Sequence, residues 1–303
     1  MGMDVGVIGV GVMGRNHVRI YSEMKSVDSL GIYDVNAAAA KALGEKHDAT
    51  VYGSIGELLD HSDAVSVVVP TQFHSKVVSE VFEKKKSVLI EKPICATSAE
   101  AKQLMKKAPA GITVGVGHIE RFNPIVAEIK KIVKKPLYFE MKRHNPTSAR
   151  ITGSSVVEDL MIHDIDILLN EFFPDPCDVH SVGNDDVMSV LMNCNSIPVV
   201  LSASRKASKK IRLFYVEAED FTIEGDFMSQ EVTIHRKPGL YGVEAQRYVQ
   251  ENIIEKVMVG KVEPLKRELE TFVDCVKKQI PFPITPEQAI RNLEFCEKVR
   301  VAH

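Results

Sequence analysis

The sequence predicts an α/β fold in two parts. The first part is an N-terminal doubly wound parallel sheet, and the second is a C-terminal α+β domain with a large, open-faced and mostly antiparallel sheet. Short apolar strands alternate with helices as far as residue 117, a pattern typical of a parallel sheet with helices on both faces. From residue 136 onwards strands follow one another with few helices between them. We therefore expect domains at 1–118 and 119–303, and leave open whether the last helix packs back on the first domain.

Length, charge and composition exclude several classes of protein. The 303 residues are long for one compact domain. The net charge of −3 gives no basic footprint for nucleic acid, and no apolar run approaches the length of a membrane span. The chain opens directly on a strand pattern, and its five cysteines form no C-x-x-C pair. We expect a cytoplasmic protein with reduced thiols, which binds neither nucleic acid nor membrane.

Each predicted strand of the first domain is a short apolar run, and several predicted helices begin at a capping residue. Asn36 suits the N-cap of one helix, and Ser54 with Glu57 fits a capping box. The predicted strands are Val5–Ile8, Leu30–Tyr33, Ala49–Tyr52, Ala64–Val69, Ser87–Ile90 and Ile112–Val116. The predicted helices are 12–24, Asn36–Lys46, Ser54–Asp60, Phe73–Lys84 and Ser98–Lys107.

In the second domain the alternation of apolar and polar residues predicts strands exposed on one face. The predicted strands are Leu137–His144, Val179–Val182, Val187–Asn193, Val199–Ser204, Ile211–Glu217, Phe221–Glu224 and Gln230–His235. The predicted helices are Ser155–Phe173, Lys266–Lys278 and Glu287–Val301.

The first strand leads into a G-x-G-x-x-G motif made by Gly9, Gly11 and Gly14, and Asp34 follows 20 residues after Gly14. The first glycine permits a tight turn, the second lets the backbone approach a pyrophosphate, and the third lets helix and strand pack closely. The helix N-terminus, with Val12 and Met13, faces the phosphates. Asp34 can bind a ribose 2′-hydroxyl and repels a 2′-phosphate, so the motif predicts NAD, with NADP disfavoured. The alternative is a glycine-rich turn of another α/β protein.

Polar residues also follow the later parallel strands, where ligands of such sheets bind. Pro70, Thr71 and His74 follow one strand, and Glu91 and Lys92 follow the next, so we expect all five beside the cofactor. A lysine held between a strand and a proline is a candidate proton donor or acceptor. The alternative is a surface lysine in a turn.

The predicted helix Ser155–Phe173 carries Asp159 and His163 one turn apart on its polar side. An aspartate in that position can orient an imidazole and stabilise its charged form, which suits a general base. Two alternatives are the wet face of an amphipathic helix and a metal-ligand pair. The sequence offers no third ligand nearby, so we predict no metal site.

Taken in order, these motifs resemble the Gfo/Idh/MocA family of NAD(P)-dependent oxidoreductases over nearly the whole chain. The resemblance rests on GVIGVGVMGRNH (6–17), Asp34, VVPTQFH (68–74), EKP (91–93), ERFNP (120–124) and DLMIHDID (159–166). It implies a Rossmann domain before the open-sheet domain, and catalytic roles for Lys92, Asp159 and His163. The stretch from 117 to 166 is most similar to sugar-nucleotide dehydrogenases that oxidise C3 of UDP-N-acetylglucosamine. Glu158, which directly precedes Asp159, departs from that pattern, and as a capping-box residue it is expected to turn away.

The resemblance implies an NAD-dependent dehydrogenase of a secondary hydroxyl on a sugar or sugar nucleotide. Two alternatives are a dehydrogenase of a free sugar or polyol such as inositol, and a non-catalytic NAD-binding regulator. The sequence leaves open whether Lys92 or His163 takes the proton. With Asp159 and His163, the candidates for substrate contacts are Arg121, Asn123, Arg143, His144 and Arg150. The uncovered sheet face further predicts a homodimer or homotetramer.

Overall fold

A computed structural model describes residues 2–146, 153–238, 241–244, 247–250 and 252–301. The chain forms two compact units, Met1–Phe122 with Glu263–Glu294, and Asn123–Val262 with Phe295–His303. The first unit therefore ends four residues later than the predicted boundary at 118. The first unit also includes Glu263–Glu294, which the predicted boundaries placed in the second domain.

The first unit contains six parallel strands in the order β3-β2-β1-β4-β5-β6. The strands are β1 (Asp4–Ile8), β2 (Ser29–Tyr33), β3 (Thr50–Val51), β4 (Ala64–Val67), β5 (Ser87–Glu91) and β6 (Val114–Gly117). This order confirms the predicted doubly wound sheet. The direction of winding reverses between β1 and β4, and ligands of such sheets bind beyond the carboxyl ends of the strands at that point.

Several helices begin where the sequence offers capping groups. Asn36 accepts a hydrogen bond from the Ala39 amide, and Ser54 accepts one from Glu57, so both predicted caps are confirmed. The helices are α1 (Val12–Ser22), α2 (Ala37–His47), α3 (Ile55–Asp60), α4 (His74–Glu83), α5 (Ser98–Met105), α6 (Pro124–Ile132), α7 (Ile162–Ile167), α8 (Pro264–Lys278) and α9 (Pro286–Val301). Short 3-10 turns occupy Thr71–Phe73 and Ile119–Phe122.

The second unit contains an eight-stranded sheet in the order β16-β13-β12-β11-β7-β10-β9-β8. Its strands are β7 (Pro136–His144), β8 (Asp178–Gly183), β9 (Val187–Cys194), β10 (Ile197–Ser204), β11 (Ile211–Ala218), β12 (Phe221–Asp226), β13 (Glu231–Arg236) and β16 (Ile253–Val257). A separate two-stranded antiparallel sheet consists of β14 (Tyr241–Glu244) and β15 (Arg247–Gln250). Among the described strands of the large sheet, β7 and β10 form the one parallel pair, so the predicted mostly antiparallel sheet is confirmed.

One face of the large sheet is buried and the other is open. Along β9 the even-numbered residues, such as Met188 and Met192, are buried, whereas Ser189 and Leu191 are exposed. On the buried face, aromatic rings pack the sheet against the helical stretch that ends at Phe172. These rings belong to Phe139, Phe172, Phe173, Phe214 and Phe227. Aromatic side chains contribute much of the buried apolar area of a core, so this cluster fixes the helical stretch on the sheet.

Cys177 and Cys194 form a disulfide across β8 and β9, so the expectation of reduced thiols is wrong for this pair. The register places Asp178 opposite Asn193, and the next pair outwards is Cys177 with Cys194. A separation of 17 residues along the chain conceals that contact in the sequence. Because disulfides are rare in the cytoplasm, the cysteines give no support for a cytoplasmic location. Within the described ranges no helix is both long and apolar enough to cross a bilayer.

Candidate functional site

The turn after β1 requires a glycine at its first position. Gly9 has a φ of +99°, which side chains rarely tolerate. A Cβ at Gly9 would lie 2.7 Å from the carbonyl oxygen of Val68. The Gly9 amide donates to the Tyr33 carbonyl at 2.8 Å. The turn is therefore held between the neighbouring strand β2 and the chain leaving β4.

The other two glycines of the motif leave space for different purposes. A Cβ on Gly14 would lie 1.9 Å from the Gly9 carbonyl oxygen, so Gly14 allows α1 to pack against the turn. At Gly11 the Cβ position has no heavy atom of the described chain within 4 Å, apart from its immediate neighbours. Gly11 has an extended backbone with φ −64°, which other residues also adopt. Its open space, beside the N-terminal amides of α1 at Val12 and Met13, therefore suits a pyrophosphate.

Asp34 lies beside this turn with its carboxylate anchored to the backbone. Its Oδ2 accepts from the Val10 amide at 2.6 Å, and its Oδ1 accepts from the Asn36 amide at 2.8 Å. A carboxylate has about four lone-pair sites, so acceptor capacity remains for ribose hydroxyls. The open space at Gly11, the start of α1 and the anchored acid fit the adenosine half of NAD.

Beyond β4, Pro70 is exposed, and Thr71 begins the 3-10 turn. His74 is buried, with its ring nitrogens 2.9 Å from the Val69 carbonyl and 3.0 Å from the Pro93 carbonyl. Burial lowers the pKa of His74 because it disfavours the charged ring, although both carbonyls oppose that shift. The predicted cofactor contact through the His74 side chain therefore receives no support. His74 instead ties together the two loops that follow β4 and β5.

Glu91 ends β5 as a buried carboxylate, and the half-buried Lys92 follows it before a cis Lys92–Pro93 peptide. The Glu91 Oε2 atom accepts from the Lys92 amide at 3.1 Å, and Oε1 lies 3.1 Å from Nε2 of His17. The site prediction omitted His17. The sequence offers one signal for it, because His17 lies with Val12, Ile20 and Met24 near one stripe of the predicted helix 12–24.

In the second unit, the predicted helix Ser155–Phe173 is confirmed, with π-helical turns at both ends. The turns cover Val157–Met161 and Leu168–Phe172, on either side of α7. Such turns are rare and frequently occur at functional sites. Asp159 lies in the first turn and His163 at the start of α7, and both are half-buried beside fully buried neighbours such as Leu160 and Ile162. Both side chains therefore lie at the boundary between the core and the surface.

Glu158 turns away from the Asp159 side, as its capping role predicts. Its carboxylate accepts from the Ser155 amide at 2.9 Å and lies 2.9 Å from Nη1 of Arg300. Further along, Asn170 donates to Oδ1 of the buried Asp166 at 3.0 Å. Among the described residues no group of three or more ligating side chains could hold a metal ion.

Two predicted substrate contacts have structural partners instead. The Asn123 side chain caps α6 and donates to the Phe227 carbonyl at 3.0 Å. Arg143 is 1% exposed, and its Nη2 donates to Oδ1 of Asp164 at 2.7 Å, while its guanidinium lies over the ring of Phe227. Sheet alternation turns Arg143 into the core, where its charge needs a buried partner. We therefore leave both residues out of the proposed substrate site.

His144, the next residue on β7, lies on the open face of the sheet. Its Nε2 is 2.9 Å from the Ser202 hydroxyl, and its pKa is lowered first by burial and then by the charge of Lys142. This face is opposite to the one that packs on the helical stretch carrying His163, so a shared role in substrate binding receives no support. Arg121 lies half-buried in the 3-10 turn Ile119–Phe122, and Arg150 lies outside the described residues.

The fold and the glycine turn define a protein with a dinucleotide-binding unit and a second, open-sheet unit. Residues 3–118 match the Gfo/Idh/MocA family, described as an oxidoreductase family with an NAD-binding Rossmann fold. The chain is also 30% identical over 314 residues to UDP-N-acetylglucosamine 3-dehydrogenase from Acidithiobacillus ferrooxidans, covering 99% of this chain and 97% of the relative. The chain belongs to the Gfo/Idh/MocA family of oxidoreductases, and the predicted NAD cofactor is confirmed at that level.

Solved structures agree with this assignment. The structure of the Acidithiobacillus ferrooxidans enzyme, GnnA, superposes with a TM-score of 0.88 at 28% identity, covering 100% of this chain and 97% of that one. Levoglucosan dehydrogenase, in complex with NADH and levoglucosan, shares the fold with a TM-score of 0.85 at 16% identity, covering 100% of this chain and 97% of that one.

Proposed function

We propose that this oxidoreductase oxidises the C3 hydroxyl of UDP-N-acetylglucosamine with NAD as the electron acceptor. The observation that carries the proposal is the similarity to UDP-N-acetylglucosamine 3-dehydrogenase over 99% of the chain. A relative that matched the cofactor unit alone would support only NAD binding. Here the similarity also includes the unit that carries Asp159 and His163.

Residues of both units take part in the proposed reaction. NAD, when bound, supplies the acceptor for the hydrogen that leaves the carbinol carbon. His163 takes the hydroxyl proton, and Asp159, one turn earlier, orients the imidazole and stabilises its charged form. Lys92 donates a hydrogen bond to the hydroxyl oxygen and stabilises its developing negative charge. Arg121 remains a candidate for contacts with the substrate.

The open face of the large sheet supports a second proposal, which concerns assembly. Leu191 is 52% exposed and Val182 77% exposed, and the register places both on the face opposite the buried one. Apolar side chains exposed together on a sheet favour association. We therefore propose that the protein forms a homodimer or homotetramer through this face.

A free polyol is the second candidate substrate. Inositol 2-dehydrogenase 2 from Saccharopolyspora erythraea is 31% identical over 187 residues, covering 55% of this chain and 53% of the relative. That match reaches about half of each protein, whereas the sugar-nucleotide relative matches nearly all. UDP-N-acetylglucosamine, free N-acetylglucosamine and myo-inositol should therefore be compared as substrates with NAD. NADH formation that requires the UDP group supports the first proposal, and a preference for inositol contradicts it.

The Lys92→Ala and His163→Ala variants test the catalytic assignment. Each should lower turnover of UDP-N-acetylglucosamine about a hundredfold or more, the usual scale for a positioned acid or base, while NAD affinity changes little. The matched control is Lys84→Ala, since Lys84 is an exposed lysine paired with Asp60 at 2.6 Å. Wild-type turnover in Lys92→Ala would show that Lys92 is an ordinary turn lysine.

A further inference from the structure

A buried hydrogen-bonded chain connects α1 to the backbone of Lys92. His17 is 0% exposed and lies one turn after Gly14 on α1. Its Nε2 is 3.1 Å from Oε1 of Glu91, and because a carboxylate accepts, the imidazole is the donor. The second oxygen, Oε2, accepts from the Lys92 amide at 3.1 Å. One carboxylate thus joins a helix of the cofactor unit to the residue that carries the proposed amine.

The surroundings of Glu91 are built to keep this carboxylate in place. Gly117 on β6 lies opposite Glu91 in the sheet, and a Cβ there would come within 3.2 Å of Oε1. Burial would raise the pKa of Glu91, but the hydrogen bond and electrostatic attraction of His17, together with the charge of Lys92, outweigh it and lower the pKa. Glu91 is therefore an ionised buried acceptor, the kind of group that is costly to leave without its donors.

The other side of the same loop is held by His74. Its Nδ1 lies 3.0 Å from the carbonyl oxygen of Pro93, directly after the Lys92–Pro93 peptide. Lys92 is thus fixed through its own amide by Glu91 and through the next residue by His74. His17 completes this arrangement, because it lies against Oε1 of Glu91 while the Lys92 amide donates to Oε2.

We propose that His17 is a positioning residue for catalysis, which acts through Glu91 to hold the Lys92 backbone and so the amine. This inference rests on the proposed function, in which Lys92 acts on the substrate hydroxyl. It assigns His17 no contact with substrate or cofactor. A small displacement of a catalytic group lowers the rate even where binding persists, so loss of His17 should affect turnover much more than NAD binding.

The first test measures hydrogen exchange of the Lys92 amide and requires no substrate. The variants are His17→Ala and His17→Gln, since a glutamine amide can still donate to Glu91. Tyr21→Phe is the matched control, because Tyr21 lies one turn further along the same helix and bonds Ser66 at 2.9 Å. In His17→Ala the Lys92 amide should exchange about fivefold faster or more, on the scale of one weakened hydrogen bond. His17→Gln should restore slow exchange, and Tyr21→Phe should leave it unchanged.

The second test is a double-mutant cycle on turnover of UDP-N-acetylglucosamine. His17→Ala should lower kcat about tenfold or more and change the KM for NAD less than about threefold. His17→Gln should recover most of the loss. In a Lys92→Ala background, His17→Ala should cause less than about a twofold further loss, because residues acting as one unit are not additive. A merely structural role would lower kcat by the same factor in both backgrounds.

The outcomes separate this inference from the proposed function. The inference is overturned if His17→Ala matches Tyr21→Phe in exchange and in kcat, or if its loss is undiminished in the Lys92→Ala background. If His17→Ala does not fold, His17→Leu tests the same link, because leucine fills the buried space and offers no donor to Glu91. If the wild type does not oxidise UDP-N-acetylglucosamine, the proposed function fails, and the exchange measurement still decides whether His17 holds Lys92.

Discussion

Replacing Gly11 and Gly14 by alanine, one at a time, should separate ligand binding from folding within a single motif. At Gly14 the added Cβ lies 1.9 Å from the Gly9 carbonyl oxygen, whereas a carbon and an oxygen in contact need about 3.3 Å. The turn must therefore move by more than about 1 Å. Overpacking of rigid groups costs about 1–3 kcal/mol. A clash between two stretches of backbone should cost an amount near the upper end of that range, because neither can move easily. We expect Gly14→Ala to lower Tm by roughly 6–12 °C, at about 2–4 °C per kcal/mol.

Gly11→Ala should behave in the opposite way. Its φ of −64° and ψ of −160° suit alanine, which stabilises by about 0.4–1 kcal/mol through the unfolded state. That gain is offset because alanine is a poorer N-cap residue than glycine. Tm should therefore stay within about 2 °C. The new methyl group occupies the space where a pyrophosphate approaches, so affinity for NAD should fall about 10- to 100-fold, or about 1.4–2.7 kcal/mol.

Thermal unfolding and fluorescence titration with NADH measure the two effects separately. Gly56→Ala is the control, because the nearest atom to its Cβ position is the Ser54 hydroxyl at 4.0 Å. This variant should leave NADH affinity unchanged and should change Tm only slightly. Wild-type NADH affinity in Gly11→Ala would refute the assignment of the open space to the pyrophosphate. A Gly14→Ala variant as stable as the wild type would refute the steric reasoning.

Two further predictions concern cofactor choice and assembly. The wild type should bind NAD more tightly than NADP, and Asp34→Asn should reduce that preference by about 5- to 200-fold, since like charges about 5 Å apart repel by about 1–3 kcal/mol at intermediate dielectric constants. Titration with both cofactors measures the preference, and equal affinities in the wild type would contradict the prediction. Asp63→Asn is the control, because Asp63 also accepts a hydrogen bond from a backbone amide, at 3.0 Å. Leu191→Arg should convert the oligomer to a monomer, as measured by light scattering. Met258→Arg is the control, because Met258 is 94% exposed, and it should leave the oligomer intact. A wild type that is monomeric at micromolar concentration would rule the proposed assembly out.

The sequence was informative where structure has local causes. The three glycines, Asp34 and the Asn36 cap act within one strand–helix–strand segment, so spacing alone places them. The doubly wound sheet follows from the alternation of apolar strands and helices, and the one-sided sheet follows from period-two burial. These parts of the fold needed no knowledge of distant contacts.

The residues that were misjudged depend on partners far away in the chain. Arg143 was a candidate for substrate contact, but Asp164, 21 residues later, supplies it with a buried carboxylate. Cys177 reads as a thiol until strand register brings Cys194 beside it. His17 lies 74 residues from Glu91, and only its place in an apolar stripe indicated a buried role. Tertiary pairing therefore decided these roles, and local pattern did not.

The buried pair between Arg143 and Asp164 has a consequence for any attempt to change the specificity of the site. Asp164 directly follows His163, so the same contact that neutralises Arg143 fixes the rotational phase of the helix that presents the imidazole. Sliding that helix by one residue would separate the two charges inside the core. A buried charge without its partner lowers the stability of the fold by about 3–5 kcal/mol. Libraries that randomise positions near His163 should therefore keep Arg143 and Asp164, or replace both together.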